Sequence, residues 1–340
     1  MLTPPFYRTF EPAYLAVLAH ISEQGDYRNA PRGNAARESL GLGFRIGNPR
    51  ERLPYLAARR VNPVFHFAEA LWYLAGRNDL DMIGYYASRM RESSVDGRTI
   101  GGSAYGARIF NPAGRDVLSP FDRVMELLRT EKDSKRGVLP IFTADELAVD
   151  ANPDISCAVA LHLLAREGKL HMVCYMRAND CDRGLLSDTF SFTMIQEFAA
   201  VQLGLELGSY THYIGSAHIG DRDADRVGRV LDEAEARQSR PGDNFAFPAM
   251  PADTTVSTIA AVLKAEAELR TNRVQYGARD LDRLGFDPYW QQVLLLFEVY
   301  RQLQYGRSSV TEGVLDALDP GFRWLVATRW PTRISERSVR

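Results

Sequence analysis

Cys157 poses the first chemical question. It lies in Asp154-Ile-Ser-Cys-Ala-Val159, at the start of a segment that reads as a strand. Free cysteine is often a small buried core residue, and that reading stands beside a nucleophilic one. A cation next to a thiol turns it into a nucleophile. Arg177 supplies a candidate, because it ends an apolar pattern just before the polar pair Asn179-Asp180. The run Arg166-Glu167-Gly168-Lys169 reads as the turn of a hairpin joining the two segments.

Glu69 is the second candidate. It sits inside VFHFAEALWYLAG, residues 64–76, a helix that is apolar on most sides and ends at Gly76. A buried acid is costly unless it is paired or protonated. A salt bridge to an arginine would satisfy it. A carboxyl kept protonated by burial would instead serve as a proton shuttle. Asp188 opens a helix over 188–203 that closes at Gly204, and a capping role there would account for it. His218, in Gly215-Ser-Ala-His-Ile-Gly220, is a lone histidine and reads equally well as a structural one.

The elements that must position these groups are legible in outline. Helical spacing marks residues 11–24, with Tyr14, Leu15, Leu18 and Ile21 on one face. Residues 25–36 are turn-rich. Ser119-Pro120-Phe121-Asp122 has the cap, the proline and the acid of a helix start. Strands are predicted over 136–143, 155–164 and 205–219. A stretch at 239–252 is rich in proline and glycine, and 254–271 and 287–305 read as amphipathic helices. The expected fold class is α+β. The expected division is a catalytic domain over 1–238, then a linker and helical extension over 239–340 packed on the same domain.

Composition narrows the function classes. The chain has 340 residues with 41 basic and 43 acidic side chains, a formal charge of −2. That balance argues against a nucleic-acid coat or a membrane-surface protein. Only four of the basic residues are lysine (132, 135, 169 and 264), so a single arginine marks little without context. Three cysteines with no paired spacing favour neither a disulfide framework nor a zinc site. The N-terminus MLTPPFYRTF lacks a signal-peptide pattern, and a reduced, cytoplasmic setting is expected.

Three segments, in order, carry a family resemblance. Tyr175-Met-Arg-Ala-Asn-Asp-Cys-Asp-Arg-Gly-Leu-Leu-Ser-Asp188 resembles the thymidylate synthase segment that runs from its phosphate arginine to its base-reading asparagine. His212-Tyr-Ile-Gly-Ser-Ala-His-Ile219 and Glu69-Ala-Leu-Trp-Tyr-Leu-Ala-Gly76 are similar to two others. The resemblance implies the thymidylate synthase fold, a large mixed β-sheet flanked by helices, and a homodimer. It implies that Cys157 adds to pyrimidine C6, and that Arg32 and Arg177 hold the nucleotide phosphate. Lys135 and Arg136 would reach it from the partner subunit. It implies that Glu69 manages protons at the pyrimidine and the folate, and that Tyr105 lies near the nucleophile. Asp180 would meet the pterin and His218 the sugar. The implied co-substrate is 5,10-methylenetetrahydrofolate, with no metal.

The departures point to one branch. Asp188 stands where thymidylate synthases carry asparagine. A carboxyl group suits the 4-amino group and bare N3 of cytosine. No tryptophan occurs between Ser88 and Tyr105, and Arg91 and Ser94 stand where the family screens its methylene intermediate. Admitting water there would yield hydroxymethyl rather than methyl. Ser156 and Ala158 flank Cys157 where the family has proline and histidine. Ala178 and Gly220 replace a serine and a tyrosine, leaving room for a ribose 2′-hydroxyl. The likeness is to cytidylate hydroxymethylases of the nucleoside-antibiotic (mildiomycin) type, and the expected activity is CMP 5-hydroxymethylation. The alternatives are a dCMP hydroxymethylase, a dUMP-methylating thymidylate synthase and a non-catalytic nucleotide-binding protein.

Overall fold

The computed structural model describes residues 3–112, 118–150, 152–239, 241, 245–306 and 309–334. Its strands are β1 (Phe6–Tyr7), β2 (Tyr27–Asn29), β3 (Ala36–Ile46), β4 (Val138–Pro140), β5 (Ala158–Arg166), β6 (Lys169–Asp180) and β7 (Glu206–Gly220). Its helices are α1 (Phe10–Gln24), α2 (Pro63–Leu74), α3 (Leu80–Tyr86), α4 (Tyr105–Phe110), α5 (Pro120–Thr130), α6 (Gly184–Leu203) and α7 (Ala224–Ala236). The C-terminal helices are α8 (Val256–Arg270), α9 (Ala278–Arg283), α10 (Pro288–Tyr305), α11 (Glu312–Asp316) and α12 (Pro320–Arg329).

The strands form one mixed sheet in the order β1-β3-β7-β6-β5-β4, with β2 pairing off β3. The predicted hairpin is present. β5 and β6 run antiparallel, and the turn between them holds Glu167 and Gly168 at φ 50° and 75°. β6 and β7 are parallel, which requires a long crossover. The 20-residue helix α6 provides it and stops at Gly204, whose φ of 63° suits a residue without a Cβ. Ser119 caps α5 by accepting from the Asp122 amide, as its sequence indicated.

One face of the sheet is covered by helices. α6 lies directly on it, buried from Leu185 to Ala200 apart from Ser187. α2 packs over α6, and its entry is fixed by Asn62 capping the Phe65 amide with Pro63 in the first turn. Every residue of α2 except Phe65 is buried. Phe67 meets Phe190 from α6 and also Phe247, Tyr289 and Phe322, all beyond residue 239. The Tyr289 hydroxyl donates to Met194 Sδ at 3.3 Å, and the Tyr86 hydroxyl to Glu266 Oε1 at 2.8 Å.

The other face carries exposed apolar side chains on four strands: Leu40, Val159, Tyr175 and Tyr213. The last two rings stack 6.0 Å apart. No described helix is long and apolar enough to cross a membrane.

Candidate active site

Cys157 immediately precedes β5, and the loop that delivers it is tied down by two carboxylates. Asp154 Oδ2 accepts from the Gly102 and Ser103 amides at 2.7 and 2.9 Å. Glu146 Oε2 accepts from the Ser156 amide at 2.6 Å, and Glu146 is itself paired with Arg108. Ser156 Oγ donates to the Gly102 carbonyl at 2.7 Å. The two backbones pass so closely that a Cβ on Gly102 would stand 1.9 Å from the Asp154 carbonyl oxygen, so only glycine fits.

Arg177 comes from β6, across the antiparallel pair. Its Nε donates to the Ser156 carbonyl at 2.7 Å and its Nη2 to the Ile155 carbonyl at 2.9 Å. The same Nη2 lies 3.7 Å from Cys157 Sγ. A guanidinium at this range stabilises negative charge on sulfur. Cys157 is half-buried, whereas Cys174 and Cys181 are fully buried, with thiols that burial pushes well up.

Tyr105 opens α4 and is buried against Tyr73 and Phe192. Burial raises its phenol far above the ordinary value, and the charges of Asp188 and Cys157 raise it further. Tyr105, Asp188 and Cys157 therefore lie close to one another.

Two buried carboxyls lie in the same region. Glu69 is raised to about 8 by burial and by Asp188. Asp188 is raised to about 7, chiefly by burial. Neither makes an ion pair among the described residues, so the salt-bridge reading of Glu69 is not met. Ser191 Oγ donates to Glu69 Oε2 at 3.1 Å instead. The capping reading of Asp188 is corrected too. α6 starts at Gly184, four residues earlier than predicted, and Asp188 lies within it. The residue that ties the helix entry is Asp180, whose Oδ1 accepts from the Asp182 and Arg183 amides at 3.0 and 3.1 Å.

The remaining candidates lie further out. Ala178 is half-buried on β6, opposite Ser216. His218 is half-buried on β7, opposite Asp180. Lys135 and Arg136 are exposed between α5 and β4, and Arg136 pairs with Glu131. Arg32 sits in the short turn Pro31–Gly33, and its side chain lies outside the described residues. Among the described residues no group of three metal-ligating side chains occurs.

Several neighbours were not singled out from the sequence. Ser191 stands three residues after Asp188 on one helix face, a spacing that marks it in retrospect. Asn179, His212 and Tyr210 lead away from Asp188 in a line of hydrogen bonds, joining α6 to β6 and β7 in a way that no local pattern reveals. A cavity of about 820 Å³ is lined by Ser187, the neighbour of Asp188, and by Arg59, Arg60, Arg89, Arg183, Arg229 and Arg329, among others.

A thiol backed by a guanidinium, two buried carboxyls and a mixed sheet crossed by one buried helix define a class of enzyme. The thymidylate synthase family model matches residues 12–249, and the chain belongs to that family. Two curated relatives are phage enzymes named deoxyuridylate hydroxymethyltransferase. The chain is 32% identical to that of Bacillus phage SP01 over 216 residues, 61% of this chain and 56% of that protein. It is 28% identical to that of Pseudomonas phage M6 over 291 residues, 85% of this chain and 80% of that protein. The chain thus spans little more than half the length of the first of these relatives and four fifths of the second.

Proposed function

We propose that the chain is a CMP 5-hydroxymethylase using 5,10-methylenetetrahydrofolate. The observation that carries the cytosine reading is Asp188, a buried carboxyl held near neutrality by its surroundings. A carboxylic acid matches the cytosine edge, donating to N3 and accepting from the 4-amino group. Sharing a proton with N3 also withdraws electrons from C6.

The sequence of steps balances. The Cys157 thiolate adds to C6 and makes C5 nucleophilic. C5 attacks the folate-derived methylene and then loses its proton to a base, and tetrahydrofolate leaves. Water adds to the exocyclic methylene, and the Cys157–C6 bond breaks to return the thiolate. CMP, methylenetetrahydrofolate and water thus give 5-hydroxymethyl-CMP and tetrahydrofolate. Glu69, poised near the working pH, relays protons. Tyr105 lies beside the thiol and Asp188. Arg32, Arg177 and the partner's copies of Lys135 and Arg136 bind the phosphate, Asp180 meets the pterin, and His218 faces the sugar. The arginine-lined cavity offers matching charge for the carboxylates of folate.

The exposed apolar face of the sheet supports a homodimer, since such a patch on one chain is usually covered. The contacts of Phe67 with Phe247, Tyr289 and Phe322 support a helical extension that belongs to the same folding unit as residues 1–238.

The relatives' names favour a second reading, hydroxymethylation of dUMP. One assay separates them: protein with methylenetetrahydrofolate and CMP, dCMP or dUMP, with products weighed by mass spectrometry. A gain of about 30 mass units on CMP, with tetrahydrofolate released, is expected for added CH₂O. The same gain on dUMP alone overturns the cytosine reading, and a gain of about 14 units overturns hydroxymethylation.

A further inference from the structure

We propose that Asn179, His212 and Tyr210 form a positioning chain that orients Asp188 and thereby sets the preference for cytosine over uracil. The proposal rests on the reading above that the site takes a pyrimidine nucleotide. Asn179 Nδ2 donates to Asp188 Oδ2 at 2.8 Å. Asn179 Oδ1 lies 3.0 Å from His212 Nε2, and His212 Nδ1 lies 2.7 Å from the Tyr210 hydroxyl. Asn179 is 2% exposed, and His212 and Tyr210 are fully buried. No solvent competes for these bonds.

The placement of the Asn179 amide gives the chain its direction. An amide oxygen only accepts, so His212 carries its hydrogen on Nε2. Burial keeps the imidazole neutral, and its bare Nδ1 then accepts from the Tyr210 hydroxyl. The Phe44 ring stacks on the imidazole at 5.3 Å and 5°, which fixes its plane. Rotating the Asn179 amide would set its oxygen against the carboxyl and its NH₂ against the His212 N–H. In this arrangement His212 and the amide hold each other, and the amide marks Asp188 Oδ2 as an acceptor.

A proton on Asp188 then resides on Oδ1. In the complex, Oδ2 takes the 4-amino hydrogen alongside the Asn179 N–H, and Oδ1–H donates to N3. Uracil presents N3–H and O4 and needs the opposite arrangement, which Asn179 opposes. None of the three residues needs to touch the base. They act through Asp188.

Calorimetric titration of CMP and UMP tests this on the full chain. His212→Phe keeps a ring on Phe44 and removes both nitrogens. It is expected to lower the ratio of CMP to UMP affinity by about fivefold to tenfold, as loss of a buried hydrogen bond would. Tyr210→Phe removes one hydroxyl and is expected to shift the ratio in the same direction by less. In an Asp188→Asn background neither change moves the ratio. Equal weakening of both nucleotides, an unchanged ratio, or a shift that persists in the Asp188→Asn background overturns the proposal. If His212→Phe does not fold, Tyr210→Phe decides the matter by the same ratio. Wild type that prefers CMP beside variants that keep that preference defeats the chain alone. Wild type that binds neither nucleotide defeats the nucleotide reading and the chain with it.

Discussion

Ser191 Oγ donates to Glu69 Oε2 across 3.1 Å, and this buried bond ties α6 to α2. Ser191 lies three residues after Asp188, so one face of one helix holds both groups. That geometry puts two carboxyls in a volume with little water, and each is raised by burial.

Stability follows from those values. Glu69 moves from 4.5 to about 8 and Asp188 from 3.8 to about 7 on folding. Between the unfolded and folded values the native chain holds more protons than the unfolded chain. This contribution to stability is therefore full below about pH 4, falls as pH rises toward 7 to 8 and levels off above that. The double variant Glu69→Gln/Asp188→Asn removes both titrations. Its melting temperature is expected to fall less between pH 5.5 and 8.5 than that of wild type, at about those two pH values. Parallel curves would mean that neither carboxyl is raised.

Thiol reactivity gives a second prediction. Iodoacetamide is expected to modify Cys157 and to spare Cys174 and Cys181, which are buried. Arg177→Gln removes the cation 3.7 Å from the sulfur and should slow labelling by about tenfold near neutral pH. CMP should protect wild type. Peptide mass mapping reads the outcome, and labelling indifferent to both Arg177 and CMP would sink the nucleophile assignment.

Much of this site was legible because it rests on local patterns. The buried acid in α2 stands out from an apolar helix, and Glu167-Gly168 announces the turn that pairs β5 with β6. Strand β3 was not read from the sequence. Gly41 and Gly43 interrupt its alternation, and its register is set by ten pairings with β7, far along the chain. The helix start at Gly184 was missed because the entry is tied by Asp180 from the preceding strand, not by a residue at the helix terminus. The network around Asp188 is tertiary throughout, and α6, β6 and β7 must assemble before it exists.

The sugar preference is open to a direct test. A Cβ on Gly220 would meet nothing closer than Asp223 Oδ2 at 3.7 Å, so a side chain there is tolerated by the backbone. Ala178 lies on the adjoining strand β6. Ala178→Ser/Gly220→Tyr is expected to lower the CMP to dCMP ratio of kcat/KM by about tenfold by refilling the space for the 2′-hydroxyl. A ratio that stays the same refutes the ribose assignment while leaving cytosine selection intact.

Arg329 extends the argument beyond the segment matched to the family. It belongs to α12, yet it lines the cavity with Arg59 and Arg60. Its pKa is lowered by burial and then by those two arginines, and its Nε is buried without a hydrogen-bond partner among the described residues. Three crowded cations repel one another until an anion enters, so the cluster gains most when a carboxylate binds. Arg329→Gln is therefore expected to raise KM for methylenetetrahydrofolate by about tenfold, with kcat and nucleotide affinity within about twofold of wild type. The melting temperature of the free protein should not fall, because a repulsive charge is removed rather than a bond. Steady-state kinetics with varied folate, read beside a thermal melt, checks both halves. An unchanged KM would mean that α12 closes the cavity without contributing to binding.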